Sequence, residues 1–192
     1  MAKPHHVLAA LAFAAQLANA QAKQPTADSL HRRTTDVASK FEEFSGRPGA
    51  LYTRTIERIG QIRAEGFRDV NVSVATVTDA GAGGTPFSAL LLGIGIRDPG
   101  YLGVVDSDEL PSFASALALM ERRAPELAAA LHRTDAVYVA RTGLKLIVTG
   151  QGKAQRLYIS SAHYWIEDVE FEIADVARFR ALVDSALTTL KH

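Results

Sequence analysis

Residues 101–120 read YLGVVDSDELPSFASALALM, and the fold turns on the change of period inside them. The first part, GYLGVVD with residue 100 included, is short and apolar, which suits a strand. From Pro111 to Arg122 the apolar residues Phe113, Leu117 and Met120 share one face of a helix. Between strand and helix stand Asp106, Asp108 and Glu109, three acids that are either a site or the start of the helix. Proline lacks an N–H and is comfortable only in a helix's first turn, so Pro111 places the expected N-cap at Asp108. Glu109 then falls in the first turn, where negative charge opposes the helix dipole. Asp106 is left over at a strand end, and one carboxylate falls short of a cation cage of about six or more oxygens. The three acids are carried forward as cation candidates, with helix initiation the simpler account of two of them.

Upstream, DVNVSVATVTD alternates Val70, Val72, Val74 and Thr76 with Asn71, Ser73 and Ala75, the period of a half-buried strand. FSALLLGIGIRD is apolar enough for a central strand, and DAGAGG reads as the hairpin turn between the two. ALYTRTIERIGQIRAEG fits either period, and its Tyr52, Thr53 and Thr55 with the β-branched content favour a strand. Leu30, Val37, Phe41 and Phe44 recur at helical spacing after the capping candidates Asp28 and Ser29, and SGRPG stops that run. Downstream, Pro125 is expected to break the helix, with ELAAALHRT a short continuation. AVYVAR, LKLIVTG, AQRLYIS and HYWIEDVEF then read as strands, and a helix from about Asp175 to Leu190 turns Val176, Phe179, Val183, Ala186 and Leu190 inward.

Four strands and a helix are thus expected twice. Laying DELPSFASAL over ADVARFRALV puts Leu110 on Val176, Phe113 on Phe179 and Leu117 on Val183. The predicted fold class is α+β, antiparallel sheets with two packed helices, a layout open to reading as a duplicated four-strand-plus-helix unit.

Lys3, the uncharged run Val7 to Leu17 and the small residues Ala18 and Ala20 form the three-part pattern of a cleavable secretory leader. The apolar run is shorter than the ~20 residues of a membrane-spanning helix. The expected organisation is therefore a leader at 1–20, a small polar N-terminus at 21–29 and one α+β domain at 30–192, exported to the periplasm or beyond and free of the membrane after cleavage. The absence of cysteine excludes disulfides, thiol chemistry and cysteine metal sites. Losing Lys3 leaves a net charge near −1, which offers no general attraction to nucleic acid or anionic membranes.

No motif promises a cofactor or a catalytic centre. GAGG and GIG lie among strand-like sequence rather than opening a helix, and GQGKA has Ile147 and Ala154 where a phosphate-binding loop needs glycine and a hydroxyl. After the leader, His31, His132, His163 and His192 fall on separate segments without metal-ligand spacing. Ser160, Ser161 and His163 are too close along one strand to meet as nucleophile and base. Tyr164 and Trp165, in the most aromatic stretch, are candidates for an interaction surface.

The order TRTIERIGQI, VNVSVATVTD, LLLGIGI, VDSDELPSFASALALM and RTGLKLIVTG resembles a group of small exported bacterial proteins of unknown function, a likeness of apolar positions over most of the chain. The layout is also similar to that of Whirly-type single-stranded nucleic-acid-binding domains, in topology only. Neither resemblance implies an activity, and charge and export argue against nucleic acid. The expectation is an exported, soluble, non-catalytic module, without a cofactor, that binds a protein or small-molecule ligand. The alternative is a carboxylate-dependent hydrolase or lyase, cation-assisted or not, built on Asp106, Asp108 and Glu109.

Overall fold

The computed structural model describes residues 39–67, 69–81, 84–95, 100–151, 154–161 and 168–191. Helix α1 (Lys40–Ser45) leads into strands β1 (Tyr52–Arg63), β2 (Asp69–Asp79), β3 (Phe87–Ile94) and β4 (Gly100–Asp106). Helix α2 (Leu110–Ala129) follows, then β5 (Thr134–Val139), β6 (Lys145–Gln151), β7 (Ala154–Ser160), β8 (Val169–Glu172) and helix α3 (Val176–Thr189). The strands make two antiparallel four-stranded sheets, each in simple chain order. The α+β class read from the sequence is the observed one, and the two halves repeat the same layout.

The alternation in β2 does what its period requires: Val70, Val72 and Val74 enter the main core with Leu90, Leu92 and Val105. The other face of the first sheet is also apolar at Ala75, Val77, Ala89, Leu91 and Val104, because α1 covers it with Phe41 and Phe44. Ser39 starts α1 with a capping box, accepting the Glu42 N–H at 2.9 Å while the Glu42 carboxylate accepts the Ser39 N–H at 3.1 Å. The expected caps Asp28 and Ser29 lie outside the described residues, and so does the sequence around residues 30–38.

Two expectations are corrected. The N-cap of α2 is Glu109, not Asp108, and its side chain makes no capping bond; Pro111 sits in the second helical position. The helix also runs through Pro125 without a break. Ala124 and Leu127, on either side of it, are buried in the core, and that burial outweighs the local cost of a proline that cannot donate to the carbonyl one turn back. Of the expected strand HYWIEDVEF, residues 169–171 fall in the last strand of the second sheet, Val169–Glu172, and residues 163–167 lie outside those described.

Both helices exchange partners. α2 follows the first sheet but packs chiefly on β6 and β5 of the second, whereas α3 follows the second sheet and packs on β1 and β2 of the first. They meet across the centre, where Phe113 and Phe179 stand edge to face with ring centroids 6.3 Å apart. These are the two residues the sequence overlay equates. The overlaid pairs Leu110 and Val176, Leu117 and Val183 are all fully buried, and the same shift carries the N-cap Glu109 onto the N-cap Asp175, each in αR geometry without a side-chain cap.

Two glycines mark the crossings. A Cβ on Gly150 of β6 would lie 2.5 Å from the backbone of Leu127 in α2, and one on Gly60 of β1 would lie 2.6 Å from the Leu182 side chain in α3. At Gly150 only a residue without a side chain lets the helix backbone come this close, whereas at Gly60 the neighbour is the flexible end of Leu182.

Candidate functional site

The three acids singled out in the sequence do come together, as a clasp between segments distant along the chain. Asp106, only 4% exposed, accepts the backbone N–H groups of Lys40 at 2.9 Å and Phe41 at 3.3 Å, and the Arg141 guanidinium at 3.1 Å. It thereby pins the first turn of α1 to the end of β4. Asp108 pairs with the Lys40 ammonium at 2.7 Å and with Arg141 at 3.3 Å, and these two cations, Lys40 foremost, hold its carboxyl below the usual range.

Glu109 Oε1 accepts the Arg141 backbone N–H at 2.8 Å and the Tyr138 hydroxyl at 3.2 Å, while its Oε2 is buried without a partner among the described residues. Burial and the adjacent Glu109 carboxylate push Tyr138 up to about 12. The turn carrying Arg141 is completed by Gly143 at φ 81°, and Thr142 donates to the Val104 carbonyl at 2.8 Å, hooking the second sheet onto the edge of β4. The acids thus face two cations, a phenol and backbone donors. Among the described residues no group of three or more histidines or acids is placed to hold a metal ion.

Tyr164, Trp165 and His163 lie outside the described residues, as do His31 and His192; His132 is exposed. Gly150, from the stretch compared with a phosphate loop, is in the middle of the second sheet under α2.

A site that no sequence motif marks arises from the unequal helices. α2 has 20 residues and α3 has 14. The registers equate the cross-strand row Val74, Leu90, Val105 with Val148, Leu157, Phe171, so the next row, Thr55, Thr76 and Ser88, matches Thr134, Gly150 and Gln155. In the second sheet the last turns of α2 fill this place, Leu127 lying on Gly150. In the first sheet α3 ends before reaching it, and a cleft of about 490 Å³ remains.

Its floor is the hydroxyl row of Thr55, Thr76 and Ser88, in which Thr76 Oγ1 and Ser88 Oγ are 2.8 Å apart. Ser107, Thr189, Leu190 and Pro86 form its walls, and Glu57 stands at the β1 edge where the second sheet carries Ala136. The volume falls within the ~300–1,000 Å³ of small-molecule pockets.

No family model matches the chain, and comparison with curated proteins and with solved structures returns no match. No helix among the described residues is long and apolar enough to cross a membrane.

Proposed function

We propose that the protein is an exported, non-catalytic binding module whose ligand site is the cleft between β1, β2, β3 and the end of α3. One observation carries this reading: a position packed solid by helix in one half stays open in the other, over polar rather than apolar floor residues. The closed row Thr134, Gly150 and Gln155 has a bare glycine at its centre for the helix to lie on, whereas the open row carries Thr76 there, so Thr55, Thr76 and Ser88 present hydroxyl groups on three adjacent strands, a platform suited to fixing the orientation of a small ligand. The chemistry of the lining supports binding rather than turnover, since among the described residues the cleft holds hydroxyls and a glutamate but no histidine or lysine to activate a nucleophile.

A thermal-shift screen of the purified protein against small metabolites tests the assignment, with Thr55→Trp, an exposed edge-strand position, as the blocked control. Ligands that raise the midpoint of the native protein and not of Thr55→Trp support the cleft. Hits unaffected by the blocked variant, or no hits at all, overturn it, and steady turnover of any hit overturns the non-catalytic part.

A further inference from the structure

Resting on the cleft assignment, we infer that its ligand is a small organic cation, an ammonium group on a short hydroxylated or aliphatic stem. Three features of the lining point the same way. Glu57 is exposed, makes no hydrogen bond or ion pair with another described residue, and occupies a row whose other members Val74, Leu90 and Val105 are core apolar residues. An unpartnered carboxylate at the mouth of a cleft is a ready counter-charge for an incoming cation.

The second feature is the helix end. α3 terminates at the cleft through Thr189 and Leu190, and the C-terminal end of a helix carries about half a negative charge on its unpaired carbonyls. Carboxylate and helix end therefore add, and no basic side chain lines the cleft among the described residues. Exposed Lys191 follows the helix without lining the cleft. An anionic ligand would meet two negative features and, among the described lining residues, no cationic side chain, so phosphates and carboxylic acids are disfavoured.

The third feature is the hydroxyl set. Thr55, Thr76, Ser88, Ser107 and Thr189 each both donate and accept, so they match ligand hydroxyls or further N–H groups equally. Val74, Pro86 and Leu190 give the carbon stem apolar contact. An amino sugar, an amino alcohol or a short polyamine satisfies all three features at once.

Isothermal titration decides it, using glucosamine, ethanolamine and spermidine as cationic probes and glucose as the neutral counterpart of the first. The expected result is saturable binding of at least one cation, with glucosamine bound about tenfold or more tightly than glucose, and a loss of about tenfold or more in Glu57→Gln. Thr76→Val, which keeps shape and removes the hydroxyl, should weaken glucosamine more than spermidine. Glucose binding as tightly as glucosamine, with both abolished in Thr55→Trp, overturns the cation inference and leaves the cleft as the site. Cation binding indifferent to Glu57→Gln, or no binding of any cationic probe, also overturns it. Retained melting temperature in Glu57→Gln shows that a lost affinity is local rather than a failure to fold.

Discussion

Replacing Asp106 by alanine should cost far more stability than replacing Asp108, although the two stand two residues apart in one turn. The Asp106 carboxylate is buried and accepts from two backbone N–H groups and a guanidinium; removing it leaves the N–H of Lys40 and Phe41 without an acceptor beside the nearly buried Phe41 ring. Hydrogen bonds to a charged group are worth about 1.5–3 kcal/mol each and are not additive. Arg141 recovers part of its loss because it still reaches Asp108 and is about one-third exposed. A net loss of about 3 kcal/mol is therefore expected, which for a chain of this size lowers the melting midpoint by about 6–12 °C.

Asp108 makes only ion pairs with side chains of which it and Lys40 are about half exposed, at 46% and 54%. Such pairs contribute about 0–1 kcal/mol, and with no capping bond to lose, Asp108→Ala should move the midpoint by less than about 4 °C. Parallel thermal and urea melts of the two variants measure the difference. Equal losses, or a loss in Asp106→Ala below about 1 kcal/mol, would refute the account of the clasp.

Three further outcomes are expected. Gly150→Ala drives a methyl group into the backbone of Leu127 and should cost about 2–3 kcal/mol, whereas Gly60→Ala meets only the mobile end of Leu182 and should cost about 1 kcal/mol, both measurable by urea unfolding. Pro125→Ala restores an N–H in the interior of α2 at an exposed position and should raise stability by about 1–3 kcal/mol in calorimetry. Tyr138 should ionise near pH 12 in the folded protein, from its ordinary 10.0, so an ultraviolet titration of phenolate should lose one residue's share of its high-pH rise in Tyr138→Phe, that of Tyr158, also raised by burial and Glu170, remaining. Because its folded pKa is raised, the stability it contributes is intact below pH 10 and falls as pH climbs toward 12; native stability rising through that interval would contradict the buried contact with Glu109.

Strands that bury one face were legible, since burial writes a period of two directly into Val70, Val72 and Val74. β1 was harder to read because it lies at a sheet edge with most residues exposed, and its β-branched content was the better guide. The equivalence of Phe113 and Phe179 was legible from the overlay of the two helix starts, but their edge-to-face contact was not, because it arises only when the helices meet across the centre.

Asp106 was left over by the sequence, and Asp108 taken for the N-cap, for a physical reason. Local capping preference explains charges by their neighbours in sequence, whereas its partners at Lys40, Phe41 and Arg141 arrive from other segments. Pro125 was misjudged in the same way, a local preference overruled by burial at Ala124 and Leu127. The cleft had no local signal at all. It depends on two helix lengths and on cross-strand register, and its residues Thr55, Thr76 and Ser88 look ordinary one strand at a time.

The exchange of helices between the sheets gives the chain the organisation of two interlocked subunits joined by a tether. A half-length polypeptide would hold out its helix with no sheet of its own beneath it, and could close its core only by trading helices with a second copy. Residues 130–133 make that association intramolecular, so assembly of the core no longer depends on concentration. The tether has a second effect: a symmetric pair must keep both copies of every surface alike, whereas a linked pair is free to differ. One crossing carries a long helix that also covers the row through Gly150 and the other a shorter helix that leaves the equivalent row of hydroxyls open, an asymmetry unavailable to a pair of identical chains.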